Sequence, residues 1–66
     1  MRLKSLRVRD KISREYVARK LDISAGTIRN WELGKTEPSV VHIKALADLF
    51  GVTTDYLLER EEKTNG

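Results

Sequence analysis

The sequence predicts an all-α fold, a compact bundle of five short helices. Apolar residues recur at three- and four-residue intervals through a chain of 66 residues, which keeps one face of each helix buried. No stretch alternates apolar and polar residues as a half-buried strand would. Most of the helical stretches also open on a hydroxyl residue or close on a residue that accepts left-handed backbone.

The first helix rests on Leu3, Leu6 and Val8 in a segment rich in Arg and Lys, and ends near Lys11. Ser13 then caps a second helix from Arg14 to Leu21, its hydroxyl placed to accept an unpaired N–H and Glu15 placed near the positive helix end. Ala18 falls where this helix and the next approach most closely, with Val17, Leu21, Ile23, Ile28 and Trp31 turned inward. Asp22 suits the turn, because Asp tolerates left-handed backbone better than most residues. Ser24 caps the third helix, which ends at Gly34.

Lys35 to Pro38 form the next loop. Pro38 biases Glu37 away from helical geometry, and Ser39 caps a fourth helix over Val40 to Phe50 with Val41, Ile43, Leu46, Ala47 and Phe50 apolar. Gly51 closes it. Thr53 or Thr54 starts a last short helix centred on Leu57 and Leu58. Residues 1–60 thus form one domain and residues 61–66 a polar tail without reason to be ordered. At this size about 60% of the unfolded surface is buried, which leaves room for one small core.

Net charge is +3, but residues 1–44 hold eleven Lys or Arg against five Asp or Glu, and residues 45–66 two against five. The basic amino-terminal part suits a polyanion, the acidic end does not. There is no cysteine, so disulfides and cysteine-rich zinc sites are excluded, and His42 has no companion ligands. We expect no metal and no cofactor. Nucleophile–base pairs and phosphate-cradling glycine loops are also missing, which argues against an enzyme. No apolar run is long enough to span a bilayer, and MRLKSLRVRDK lacks the apolar stretch of a secretion signal, so the expected location is cytoplasmic.

Four segments carry a resemblance. The LKSLR opening, the ISREYVARKLDIS stretch, WELGKTEPS with Glu, Gly and Pro in order, and the closing ALADLFGVTTDYLL together resemble the lambda-repressor-like, Cro-type helix-turn-helix family, also called the xenobiotic-response-element type. The resemblance covers residues 2 to about 58. It implies a bundle whose third helix enters the DNA major groove, in a symmetric dimer on a palindromic operator. It also implies that Arg7 and Glu32 pair across the bundle, and that Val52 and Leu57 point inward.

Two positions depart from the family. Arg14 stands where Gln is common, and Asp22 where Gly is common in the turn. Arg14 offers a charged fork to a phosphate or to the O6/N7 edge of guanine, so an operator cannot be carried over from relatives.

The expected base-reading residues are Ser24, Ala25, Gly26, Thr27, Arg29 and Asn30. Arg pairs with guanine and Asn with adenine through two hydrogen bonds, each worth about 1–3 kcal/mol of discrimination, while Ala25 suits a thymine methyl. Gly26 reads nothing with a side chain, and marks either a close approach of DNA or an unoptimised position. Ser13 and Arg14 at the start of the second helix, with Lys35 and Thr36 in the loop that the family places on the sugar-phosphate backbone, are the expected phosphate contacts. His42 reads as a surface histidine, with a phosphate contact as the alternative.

Because one small domain reads few bases, two copies with recognition helices about 34 Å apart are expected, and Leu49, Tyr56 and Leu58 are the candidate dimer surface. The favoured function is a sequence-specific transcriptional repressor. The alternatives are an antitoxin or restriction-modification controller with a protein partner, such as a toxin or antirepressor, and a pure protein-interaction module. With no separate ligand-sensing segment, induction is expected to work through dimerisation, a partner or protein level.

Overall fold

Four hydroxyl side chains set where helices begin. In a computed structural model that describes residues 1–61, Ser13, Ser24, Ser39 and Thr53 adopt extended backbone and accept the N–H three residues on, from Tyr16, Thr27, His42 and Tyr56. These caps open α2 (Arg14–Leu21), α3 (Ala25–Leu33), α4 (Val40–Phe50) and α5 (Thr54–Leu58). They satisfy donors that would otherwise lack a partner.

The first helix, α1 (Leu3–Asp10), begins differently. Its N-cap is Arg2, which makes no side-chain cap bond, and the carboxylate of Glu61 takes over by accepting from the Ser5 N–H at 2.8 Å and from the Ser5 hydroxyl. Glu61, placed by sequence in the polar tail, therefore closes the first turn of α1. Residues 62–66, the rest of that expected tail, lie outside the described residues.

Helix ends rely on left-handed residues. Asp22 has φ 60° and its N–H reaches the carbonyls of Ala18 and Arg19, while Ile23 N–H bonds Ala18 O at 2.9 Å. Gly34 ends α3 and Gly51 ends α4 in the same way. Lys11 ends α1 with φ 58°, a conformation that its side chain does nothing to favour.

All five helices contribute to one core. Leu3, Leu6, Val17, Ala18, Ile28, Trp31, Leu46, Ala47, Phe50 and Leu57 are buried, and Leu21, Ile23, Ile43, Leu49 and Val52 pack around them. Each fully buried aliphatic side chain contributes roughly 1.5–3 kcal/mol. Two of the valines expected on the apolar stripes fall outside this set. Val8 and Val41 are exposed, because each lies two residues from an inward position, Leu6 and Ile43, and so about 200° around the helix. The apolar stripes of α1 and α4 are narrower than composition suggests.

The ends of the chain meet. Arg2 N–H donates to Leu57 O at 2.7 Å, Arg2 Nη2 to Glu59 Oε1 at 3.1 Å, and the guanidinium lies 4.8 Å from the Tyr56 ring centre. This clasp joins α1 to α5, while α2 and α3 form the most extensive helix pair. No helix among the described residues is long and apolar enough to cross a membrane.

Candidate nucleic-acid interface

Capping fixes the relation of α2 to α3. The left-handed Asp22 reverses the chain, Ile23 drops toward the core, and Ser24 starts α3. Its hydroxyl accepts from Thr27 N–H at 3.2 Å and lies 3.0 Å from Thr27 Oγ1. Ser24 and Thr27 are thus engaged with each other, which satisfies an otherwise unpaired N–H in the first turn of α3.

Ile28 and Trp31 turn α3 inward, so Gly26, Arg29, Asn30 and Leu33 share the outward stripe. The side chains of Arg29 and Asn30 make no hydrogen bond to any of the described residues. Ala25 is partly buried against the core edge. Gly26 is exposed, and a Cβ there would meet nothing nearer than Ser24 Oγ at 3.8 Å, so the fold does not need glycine at this position. Leu33, exposed at the end of the stripe, was not singled out by sequence. Its helical spacing from Asn30 and Arg29 was the available signal.

Beneath this face lies a cluster of three charges. Arg7 Nε donates to Glu32 Oε2 at 2.6 Å and Arg7 Nη2 to Glu32 Oε1 at 3.2 Å, while Arg7 Nη1 donates to the Ile12 carbonyl at 3.1 Å. Arg14 Nε also donates to Glu32 Oε1, at 2.9 Å. The cluster ties α1, α2 and α3 together through one carboxylate whose side chain is 2% exposed. Arg14 thus has a partner within the fold that sequence reasoning did not foresee.

Ser13 is occupied by its cap bond to Tyr16, whereas Lys35 and Thr36 are exposed in the loop after α3 and make no side-chain hydrogen bond to the described residues. Lys35 N–H closes the end of α3 by bonding Asn30 O at 2.9 Å, which fixes the start of the loop. His42 differs from its expected surface setting: it is partly buried, its ring centre 5.4 Å from that of Trp31 and its Nδ1 3.2 Å from Ser39 Oγ. The Trp31 ring offered an apolar wall that the sequence spacing of 11 residues did not reveal.

Of the three candidate dimer residues, Leu49 packs partly against the core, and Tyr56 and Leu58 are exposed. Leu58 also lines a groove of about 250 Å³ with Met1, Trp31, Gly34, Thr36, Glu37, Pro38 and Ile43. This groove lies beyond the carboxy-terminal end of α3, away from its first turn.

Two helices joined by a capped turn, with the second presenting a polar stripe and three further helices behind, define a helix-turn-helix domain. The helix-turn-helix family matches residues 3–57, and the chain belongs to that family, to its Cro/C1-type branch. The chain is similar to the HTH-type transcriptional regulator AnsR of Bacillus subtilis (strain 168), with 40% identity over 62 residues, covering 94% of this chain and 53% of that protein. It thus spans about half the length of this relative. No solved structure matches the chain.

Proposed function

We propose that this protein is a sequence-specific, DNA-binding transcription regulator that acts in the cytoplasm as a repressor, binding a palindromic operator as a dimer with α3 in the major groove. The observation that carries the reading is the outward stripe of α3: Arg29 and Asn30 present hydrogen-bonding side chains with no partner among the described residues. Polar groups of this kind, on a helix fixed at both ends, suit the edges of base pairs. Family membership and the similarity to a transcriptional regulator support the same reading.

In this reading Ser24, Ala25, Gly26, Thr27, Arg29 and Asn30 meet the groove, while Ser13, Arg14, Lys35 and Thr36 meet the sugar-phosphate backbone. Tyr56 and Leu58 supply exposed apolar surface for the dimer, with Leu49 as its inner edge. Occupation of the operator excludes polymerase.

Selection of binding sites from random duplexes at fixed salt tests the proposal. It should return a preferred half-site repeated with a spacing of about one helical turn. Replacing Arg29 and Asn30 singly should relax preference at separate base positions, and replacing Lys35 should weaken all sequences alike. A protein that bound no duplex at low ionic strength would overturn the reading.

A further inference from the structure

Glu32 is held by two guanidinium groups that are not equivalent. Arg7 engages both carboxylate oxygens and the Ile12 carbonyl, and its side chain is 12% exposed. That pair alone balances the charge of Glu32. Arg14 adds a second cation through Nε, its side chain is 36% exposed, and its two Nη groups make no hydrogen bond to any described residue. The cluster therefore carries an excess positive charge on its most accessible member. Two guanidiniums that share one carboxylate repel each other, and an anion from outside the molecule relieves that repulsion.

We infer that Glu32 is a positioning residue for phosphate contact: by gripping Arg14 Nε it holds the guanidinium plane so that the Nη edge is a preformed fork for a backbone phosphate of DNA. This deepens the DNA-binding reading proposed above and rests on it. An unrestrained arginine gives up rotamer freedom when it meets a phosphate, whereas one already held at Nε gives up less. Planar, two-pronged recognition is what distinguishes arginine from lysine at such a site. The same carboxylate thus serves the bundle through Arg7 and the ligand through Arg14.

Charge and positioning predict opposite results for Glu32→Gln. Removing the anion makes the site one unit more positive, so charge alone predicts tighter binding to a mixed-sequence duplex at low ionic strength. Glutamine keeps one acceptor oxygen, which cannot serve Arg7 and Arg14 together as the two carboxylate oxygens do, and a fork so loosened predicts weaker binding, by roughly two- to tenfold, the cost of immobilising one long side chain. Affinity is measured at a temperature where Trp31 fluorescence reports a fully folded variant.

Arg14→Lys covers the case in which that variant does not fold. Lysine keeps the charge but lacks the Nε anchor and the fork, so it should lose nearly as much affinity as Arg14→Met, which should also lower the salt slope by about one. Folded Glu32→Gln binding as tightly as the parent, or Arg14→Lys at parental affinity, overturns the inference. Arg14→Met that loses stability but keeps the parental salt slope overturns it as well, because Arg14 is then only a strut. If the parent protein itself ignores the duplex, the DNA-binding reading fails, and a parent that binds while the variants behave as charge predicts isolates the failure to Glu32.

Discussion

The two faces of α3 are used in opposite ways. Inward, Ile28 and Trp31 are buried and Glu32 is gripped by arginines from α1 and α2. Outward, the side chains of Arg29 and Asn30 make no hydrogen bond to any described residue, and Gly26 is exposed, with only Ser24 Oγ near the place of a Cβ, at 3.8 Å. The fold draws its stability from one side of the helix and gives the other side no task inside the molecule. A side chain without an internal task can be replaced without unfolding the bundle, so the outward stripe is free to be shaped by what it meets.

Glu32→Ala is the strongest attempt to break this contrast. It leaves Arg7 partly buried without a counter-charge, and should lower stability by about 3–5 kcal/mol. Urea unfolding followed by Trp31 fluorescence measures the loss, and an unchanged midpoint would show that the inward face does not hold α3 in place. Arg7→Lys should cost less, about 1–3 kcal/mol, since the charge remains while the fork to Glu32 and Ile12 is lost. Arg14→Lys should cost the fold less than Arg7→Lys, because Arg14 contributes one bond where Arg7 contributes three.

Gly26→Ala probes the other face. Alanine removes the conformational freedom that makes glycine costly in a helix, so stability should rise by about 1 kcal/mol. If DNA approaches the backbone closely here, as the proposed docking of α3 implies, affinity for the selected operator should fall, and unchanged affinity would mark the position as merely unoptimised. Thermal unfolding and a binding titration on the same preparation give both signs. A fall in stability would mean that the outward stripe is engaged within the fold after all.

Much of the fold was legible because its signals are local. Ser13, Ser24 and Ser39 act on N–H groups only three residues away, and Asp22, Gly34 and Gly51 act on their own backbone, so a reader of the sequence has every participant in view. Lys11 was legible as the end of α1 only in position, not in conformation, because nothing in a lysine side chain favours φ 58°. Val8 and Val41 look like core residues by composition and are exposed because short helices bury only narrow stripes.

The site was legible to a lesser depth. The outward stripe of α3 follows from helical periodicity, whereas the bond from Arg14 to Glu32 joins residues 18 apart and exists only once α2 lies across α3. His42 against Trp31 and Glu61 against Ser5 arise in the same way. Contacts that depend on how helices cross leave no trace in the spacing of either helix alone.

The smallest expected effect sharpens the comparison by supplying a control. Arg9 and Asp10 form a two-pronged pair, Nε to Oδ1 at 2.7 Å and Nη2 to Oδ2 at 2.9 Å, no longer on the whole than the bonds of 2.6 and 3.2 Å from Arg7 to Glu32. The hydrogen bond from Arg9 holds the Asp10 carboxyl below its ordinary value of 3.8, with a lesser opposing push from desolvation and a further pull from the charge of Arg9. A carboxyl lowered in the folded state stabilises the protein above its ordinary value, and that contribution is lost as the pH falls through the folded value. Yet the two residues are adjacent in sequence, so the unfolded chain can form the pair as well, and both are exposed to screening by solvent. Asp10→Asn should therefore leave the urea midpoint at neutral pH nearly unchanged, and the acid limb of the stability curve should shift only slightly below 3.8. A drop comparable to that of Glu32→Ala would mean that pair length, rather than burial and the joining of separate helices, sets the strength of an ion pair here. The inward face of α3 would then have no special hold on the fold.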